Sequence, residues 1–277
     1  MVVFPNCKIN LGLHVISRRD DGFHNLETVF YPLPITDALE IITHPNKQEF
    51  TGVEFSCSGL AIDGPADSNL CIKAYQLLHK DFAQLPPVKM HLHKAIPMGA
   101  GLGGGSADGA FTLLALNKKY QLGLTEQQLI HYALQLGSDC PFFIVNQPSY
   151  ATGRGEELTP VSVQLKGYTC VMVNPGIHVN TGWAFKAISP AIPDKNLLEL
   201  IQTPVVNWRQ SLTNDFQVAV AAAHPVITTI CETLYNQGAV YAAMSGSGST
   251  CFGIFEPNHV FTATFPAGYF IKQVVLD

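Results

Sequence analysis

Charged residues and long apolar runs are both scarce in this sequence. Only 13% of the 277 residues are charged, the net charge is -5, and lysines and arginines form no cluster. This composition argues against nucleic-acid binding, which depends on a phosphate-tracking basic surface. Apolar runs end well short of the roughly 20 residues that cross a bilayer, so no membrane association is expected. The first residues lack a basic leader with an apolar core and an Arg- and Ser-rich extension, which predicts a cytoplasmic protein.

Cysteine pairs of the kind that bind zinc are also missing. The seven cysteines form no C-x-x-C pair and are odd in number, so we expect reduced cysteines rather than disulfides or a zinc site. Apolar residues make up 47% of the chain. That share supports a large core, and the length suits two domains.

Hydrophobic periodicity and turn residues predict strands and helices along the whole chain. In the first half the predicted strands cover residues 8–16, 26–33, 38–43, 53–58, 88–93 and 142–145. Predicted helices there follow a cap within residues 67–69 and a capping box that begins at Thr125, and a further helical stretch covers residues 107–116. In the second half we predict strands at 169–173, 240–244 and 251–255, and helices at 183–188, 196–201, 215–223 and 226–236. A domain boundary is expected near residues 154–160.

A glycine-rich segment connects a predicted strand to a predicted helix. It reads Pro97-Met98-Gly99-Ala100-Gly101-Leu102-Gly103-Gly104-Gly105-Ser106-Ala107. Glycine lets the backbone approach an anion closely, and the N–H groups and dipole of the following helix attract negative charge. Five glycines within residues 99–105 are costly in chain entropy unless the open backbone is used. The pattern therefore predicts a phosphate site, with a flexible loop as the alternative.

The context of this loop excludes three common nucleotide sites. Gly99-x-Gly101-x-x-Gly104 matches the dinucleotide fingerprint, but the next predicted element after its helix is another helix, not the second strand of a Rossmann unit. The Gly-Lys-Ser/Thr of a Walker loop is missing, as are the His-Arg-Asp and Asp-Phe-Gly elements of protein kinases. The phosphate loop is therefore of another kind.

Three segments in the expected order resemble the motifs of the GHMP kinase superfamily. The loop resembles the central ATP-binding motif, P-x-x-x-G-L-G-S/G-S/G. Residues 5–11 resemble the N-terminal motif with its lysine and asparagine, and residues 243–251 resemble the C-terminal glycine motif. The resemblance implies an ATP-dependent kinase with an α+β, two-domain GHMP kinase fold. It further implies an ATP-binding domain (1–155), a substrate domain (156–277), a left-handed βαβ crossover, and an active site in the cleft between the domains.

Four segments together resemble one branch of that superfamily: residues 8–11, residues 18–26 with the sequence D-G-F-H, the loop 97–107, and residues 137–143 with the sequence G-S-D-C-P-F-F. This branch phosphorylates a small molecule, a cytidine diphosphate derivative of methylerythritol, in the non-mevalonate route to isoprenoid precursors. Two other interpretations stay open: a GHMP kinase acting on another alcohol such as homoserine or mevalonate, and a non-catalytic nucleotide sensor.

The resemblance implies a catalytic pair. Asp139 would accept the proton of the substrate hydroxyl, and Lys8 beside it would keep that carboxylate ionised and stabilise developing negative charge. The alternatives are a turn-forming Asp139 and a solvated Lys8 near a strand start. Mg²⁺ is expected to arrive with ATP; no residue is assigned as its ligand, and Ser106 is one candidate.

The resemblance also implies a cytidine site. Phe23 and Phe185 would sandwich the cytosine ring and His24 would hydrogen-bond its polar edge. Phe23 stands where many relatives carry tyrosine, and Gly182 stands where proline is common. An ordinary core role is the alternative for Phe185. The two remaining expected substrate contacts are Asn10 and Thr181.

Three further features have more than one interpretation. Residues 245–250 either pack against N-terminal elements in support of the site or form a simple turn between strands. His91 and His93 lie on one face of a predicted strand and are expected to face solvent rather than bind a metal, since no third ligand is evident. Lys94 either reaches a nucleotide phosphate or lies at the surface.

Overall fold

The computed structural model describes residues 1–46, 48–62 and 64–276. These residues form twelve strands and eight α-helices. The strands are β1 (Val2–Val3), β2 (Asn6–Arg18), β3 (His24–Thr36), β4 (Ala38–Thr43), β5 (Val53–Gly59), β6 (Val88–Lys94), β7 (Ser149–Thr152), β8 (Glu157–Pro160), β9 (Thr169–Asn174), β10 (Tyr241–Met244), β11 (Cys251–Phe255) and β12 (Phe270–Val275). The helices are α1 (Leu70–Asp81), α2 (Gly104–Tyr120), α3 (Glu126–Leu136), α4 (Cys140–Val145), α5 (Thr181–Lys186), α6 (Leu197–Ile201), α7 (Asp215–Ala223) and α8 (Val226–Asn236).

Two compact units share the chain. The first comprises residues 1–7, 35–98 and 103–147, and the second comprises residues 8–34, 99–102 and 148–277. These units interleave along the sequence, whereas the predicted ATP-binding and substrate domains are continuous segments. That functional division stays a prediction. The stretch 154–160, where we expected a boundary, forms the turn and second strand of the β7–β8 hairpin.

The first unit contains a four-stranded sheet with strand order β1-β4-β6-β5. Strand β5 is parallel to β6, and α1 lies between them in the chain, so the three form a βαβ unit. Helix α1 begins where expected, because the Asn69 side chain accepts a hydrogen bond of 2.9 Å from the backbone N–H of Cys71. Helix α3 has the predicted capping box between Thr125 and Gln128 and ends at Gly137.

The prediction of an extended segment at 142–145 is wrong, because α4 occupies it. Five of its six residues are buried, and a short, fully apolar run has the same pattern in a buried strand and a buried helix. Pro141 lies in the first turn of α4, where its fixed φ suits a helix and its missing N–H is not needed. This proline was the available signal for a helix.

The second unit contains two antiparallel sheets and most of the remaining helices. Their strand orders are β2-β3-β7-β8 and β10-β11-β9-β12. A core of buried side chains joins α7 and α8 to the second sheet, with Phe216, Ile227, Val171 and Phe255 among its members. The short strands β1, β7 and β8 and the mostly exposed β12 were not predicted, since none has the periodicity that marks a longer amphipathic strand.

Two features of the described residues concern the cysteines and the apolar helices. All seven cysteines are free thiols. Within the described ranges no single helix is long and apolar enough to cross a bilayer, and only the bent pair α7 and α8, at 117°, meets that length and composition together. Both of those helices contribute to the buried core of the second unit.

Candidate active site

The glycine-rich loop adopts backbone conformations that require glycine. Gly101 has a φ of +79° and Gly103 a φ of +71°, a region that other residues adopt only at a cost. A β-carbon on Gly101 would lie 2.0 Å from the carbonyl oxygen of Ser245. Glycine is therefore needed at 101 both for its conformation and for the close approach of another backbone.

The loop leads directly into the N-terminus of α2. Gly103 is the N-cap residue, and the helical hydrogen bonds begin with the Ala107 N–H, which donates to the Gly103 carbonyl at 2.9 Å. The preceding N–H groups of a helix have no acceptor within it. The first turn carries no acidic side chain, so nothing there opposes an incoming phosphate. This geometry fits the predicted phosphate site.

Both interpretations of Lys94 are wrong. Its side chain is completely buried and donates hydrogen bonds to two carboxylates, Asp37 and Asp108, the latter at 2.8 Å. The second Asp37 oxygen accepts from the backbone N–H groups of Ala95 and Ile96 at 2.6 and 2.9 Å. This ion cluster joins the end of β6 to the second turn of α2. A lysine in a strand usually indicates a solvated side chain, and the two distant carboxylates that bury it left no local signal.

The ion cluster contains two carboxyl groups but one ammonium group. Burial raises the pKa of Asp108 to about 7, although the Lys94 ammonium acts in the opposite direction. Burial would lower the pKa of Lys94, but the two carboxylates outweigh it and raise that pKa above its ordinary value. Among the described residues Asp108 Oδ1 has no hydrogen-bond partner. A proton on Asp108 therefore makes the cluster electrically neutral.

Lys8 is buried beside the glycine loop, which excludes the solvated-lysine alternative. It is only 3% exposed. Its ammonium group donates to Asn10 Oδ1 at 2.7 Å and to the carbonyl of Gly101 at 3.2 Å, and it lies 5.0 Å from the centre of the Phe30 ring. These contacts fix the Lys8 side chain in one orientation.

Asn10 is held by protein atoms on both ends of its amide. Its Nδ2 donates to Thr28 Oγ1 at 2.9 Å, and its Oδ1 accepts from Lys8. The hydroxyl of Ser245 accepts from the Asn10 backbone N–H at 3.2 Å and donates to the Gly101 carbonyl at 2.8 Å. The structure thus makes Asn10 a positioning partner of Lys8, while its contact with substrate stays a prediction.

Residues 245–250 form a turn that also packs against N-terminal elements, so they are not a simple turn. Ser245 and Thr250 close a turn between β10 and β11, with the Ser245 N–H donating to the Thr250 carbonyl at 2.8 Å. The Thr250 N–H also donates to the carbonyl of Ala100, in the glycine loop, at 3.1 Å. Asn214, which sequence analysis missed, secures the turn by donating to the Met244 and Gly246 carbonyls at 2.7 and 2.8 Å. Its only sequence signal was a position before a helix, where it caps α7.

Asp139 is the N-cap residue of α4. In the described chain its side chain makes no capping hydrogen bond to that helix, so capping does not account for an aspartate here. The thiol of the next residue, Cys140, is hydrogen-bonded with the Ser106 side chain, and burial raises the pKa of that thiol to about 12. The start of α4 is therefore held against the start of α2. Asp139 belongs to the first unit and Lys8 to the second, and their pairing stays a prediction.

The residues expected at the cytidine site lie on two elements of the second unit. Phe23 is 51% exposed in the turn before β3. The His24 ring stacks on Phe185 with centroids 4.7 Å apart, and Phe185 meets Phe216 edge-on at 4.9 Å. One face of Phe185 is therefore covered by an imidazole. Its partial burial against the core also gives the core alternative some support. The Thr181 hydroxyl lies 3.1 Å from that of Ser247 at the surface.

Two observations concern possible metal ligands. No group of three or more His, Cys, Asp or Glu side chains within the described ranges could hold a metal ion. His91 and His93 share the hydroxyl of Ser58 at 2.9 and 3.0 Å, which agrees with the predicted pair on an open strand face. The arrival of Mg²⁺ with ATP stays a prediction.

Comparison with known proteins agrees with this geometry. Residues 69–147 match the description "GHMP kinases N terminal domain" and residues 196–263 match "GHMP kinases C terminal". A curated 4-diphosphocytidyl-2-C-methyl-D-erythritol kinase from Bacteroides fragilis is 52% identical over 95% of this chain and 94% of its own length. The corresponding protein from Solidesulfovibrio magneticus is 37% identical over 92% of this chain and 88% of its own length.

Solved structures extend the likeness to the fold. The crystal structure of a 4-(cytidine 5'-diphospho)-2C-methyl-D-erythritol kinase has a TM-score of 0.78 and 31% identity, covering 93% of this chain and 91% of the other. A homoserine kinase from Cytophaga hutchinsonii has a TM-score of 0.61 at 14% identity, covering 92% and 86%. The second likeness concerns the fold alone, which is the expected α+β GHMP kinase fold.

Proposed function

This chain belongs to the 4-diphosphocytidyl-2-C-methyl-D-erythritol kinases of the GHMP kinase family, and we propose that it transfers a phosphoryl group from ATP to the 2-hydroxyl of 4-diphosphocytidyl-2-C-methyl-D-erythritol. The products are the 2-phosphate and ADP, in the non-mevalonate route to isoprenoid precursors. The observation that carries this proposal is the 52% identity to a curated kinase of that name over 95% of the chain. The glycine loop at the start of α2 supports it independently.

ATP binds through residues 97–107. The backbone N–H groups at the start of α2 hold the phosphates, and the helix dipole favours their negative charge. Gly101 and Gly103 keep the loop in its open conformation. Ser106 is a candidate protein ligand for Mg²⁺, which would neutralise charge on the phosphates if it arrived with ATP.

Asp139 acts as the base. The substrate hydroxyl oxygen forms a bond to the γ-phosphorus while the bond from that phosphorus to the leaving oxygen of ADP breaks, and the hydroxyl proton passes to the Asp139 carboxylate. Lys8, fixed by Asn10 and the Gly101 carbonyl, stabilises the negative charge on the transferred group. A cation that is already fixed in a site with little water stabilises the transition state more than a cation that must first be ordered.

The cytidine part of the substrate is recognised by Phe23, His24 and Phe185. Stacking is tolerant of base identity, so selection for cytosine depends on polar contacts from groups such as His24. Because His24 now covers one face of Phe185, a base between the two phenylalanines requires the imidazole to turn toward the edge of the base. Thr181 adds a hydroxyl at the start of α5.

Turnover by the purified chain tests the proposal. ATP consumption is measured with 4-diphosphocytidyl-2-C-methyl-D-erythritol and, separately, with homoserine, mevalonate and galactose. We expect turnover only with the cytidyl substrate, and a fall in kcat on the order of a hundredfold or more in Asp139→Asn. The Asp139→Asn protein should still bind ATP, since the base does not hold the nucleotide. Turnover on another alcohol instead would refute the substrate, and full activity in Asp139→Asn would refute the base.

A further inference from the structure

The turn that presents Phe23 has a fixed backbone. The Phe23 N–H donates to Asp21 Oδ1 at 3.0 Å, and the Phe23 carbonyl accepts from the Arg19 N–H at 2.8 Å. The Arg19 guanidinium in turn donates to both oxygens of Asp21 at 3.3 and 3.0 Å. These hydrogen bonds hold the backbone of Phe23 but do not restrict the rotation of its half-exposed side chain.

A second turn places a guanidinium on that side chain. The Arg154 guanidinium lies 4.8 Å from the centre of the Phe23 ring. Arg154 is itself held by Glu156, which accepts from its Nε at 3.1 Å and from its backbone N–H at 2.5 Å. The neighbouring Gly153 carbonyl accepts from the Leu26 N–H at 2.8 Å, so the β7–β8 turn is tied to the start of β3. One face of Phe23 is thus covered by a positioned cation.

We propose that Arg154 is a positioning residue for the cytidyl substrate, holding the Phe23 ring by one face so that the opposite face is ready to stack on the base. The inference rests on the proposed function. An exposed ring that samples several rotamers loses conformational entropy when it is ordered by the bound base. A cation that already holds the ring reduces this entropic cost of binding. Arg154 does so without contacting the base or the reacting atoms.

A purely structural role explains these contacts less well. Phe23 is 51% exposed, so its ring is not part of the packed core. The two turns are already joined and shaped by backbone hydrogen bonds that do not involve the guanidinium. The contact therefore orders a side chain rather than supports the fold, and its loss should alter substrate binding before stability.

The test measures steady-state kinetics of Arg154→Ala. We expect KM for the cytidyl substrate to rise about two- to fivefold, the effect of an exposed cation–π contact, with kcat and KM for ATP unchanged. Arg154→Lys keeps a cation near the ring and should recover part of the loss. Arg209→Ala is the matched control, because it removes another guanidinium stacked on a ring, 4.0 Å from the centre of Tyr235, and should leave every constant unchanged.

A double-mutant cycle with Phe23→Leu separates positioning from a direct charge effect. If Arg154 acts through the ring, Arg154→Ala should change neither KM nor the calorimetric affinity for cytidine diphosphate once Phe23 is leucine. An equal loss in both backgrounds would overturn the inference, as would a wild-type KM in Arg154→Ala. In either case turnover by the wild type would leave the proposed function standing. A wild-type chain with no turnover on the cytidyl substrate would refute the function and this inference together.

Discussion

The substitution Asp108→Asn should destabilise the folded chain at pH 5 and stabilise it at pH 8. The Asp108 carboxyl is 3% exposed and shares Lys94 with a second carboxylate, Asp37. When all three groups are ionised the cluster has a net negative charge in the interior, which is costly. An asparagine keeps the shape and the oxygen that accepts from Lys94, and it leaves a neutral Lys94–Asp37 pair. The variant therefore removes the titration while preserving most of the packing.

The sign and size of the effect follow from the pKa of Asp108. Burial raises it to about 7 from an ordinary value of 3.8, so between these two values the folded chain binds more protons than the unfolded chain. The free energy of unfolding then falls as pH rises through this window and levels off above it. At about 1.4 kcal/mol for each pH unit, the wild type loses roughly 4 kcal/mol over the whole window, and about 3 kcal/mol of this loss falls between pH 5 and 7; the variant loses neither. At pH 5 the unpartnered amide that the substitution introduces costs the variant about 1–3 kcal/mol.

Urea unfolding of both proteins at pH 5, 6, 7 and 8, at constant ionic strength, checks this prediction. We expect the variant to be the less stable protein at pH 5 and the more stable one at pH 8. Asp194→Asn, which changes an exposed carboxyl, is the control and should follow the wild type at every pH. A difference between Asp108→Asn and wild type that stays constant across the series would mean that Asp108 does not titrate in this range, and the argument for a raised pKa would fail.

Two further substitutions test the supports of the glycine loop. Gly101→Ala should lower the free energy of unfolding by on the order of 2–4 kcal/mol, since its β-carbon would lie 2.0 Å from the Ser245 carbonyl oxygen. Gly52→Ala, at a φ of +85° with open space around it, is the matched control and should cost only the roughly 1–2 kcal/mol of the left-handed conformation; equal costs in thermal unfolding would contradict a steric cause. Lys94→Met should cost about 3–5 kcal/mol at pH 8, because it leaves two buried carboxylates without a cation. A urea-unfolding midpoint within error of the wild type would show that the cluster contributes nothing.

Local chemistry made most elements predictable. The caps at Asn69 and Thr125 and the alternation of residues 8–16 each specify a structure through bonds or packing that lie within a few residues. The glycine loop was predictable for the same reason, because strand, glycine turn and helix are consecutive. The prediction for residues 142–145 failed, since a short apolar run has no period that distinguishes a buried helix from a buried strand.

The contacts within the site were less accessible to sequence reasoning. Lys94 and Asp37 are 57 residues apart, and Asn214 reaches the turn at Gly246 across 32 residues. No spacing rule connects such positions, and a polar residue whose partner is distant resembles one that faces water. Lys8 was recognised only through its motif. Its burial and its hydrogen bond to Asn10 became visible only in the three-dimensional structure.

The glycine loop contributes residues to both compact units, and its two parts have different supports. Beneath the start of α2 the support is the buried ion cluster around Lys94, whose net charge changes with the protonation of Asp108. Residues 99–102 accept hydrogen bonds from the ammonium of Lys8 and from neutral groups, the Ser245 hydroxyl and the Thr250 N–H. Hydroxyl and backbone groups do not titrate between pH 5 and 8. A loss of ATP affinity at alkaline pH that disappears in Asp108→Asn would therefore trace to the α2 side of the loop rather than to residues 99–102.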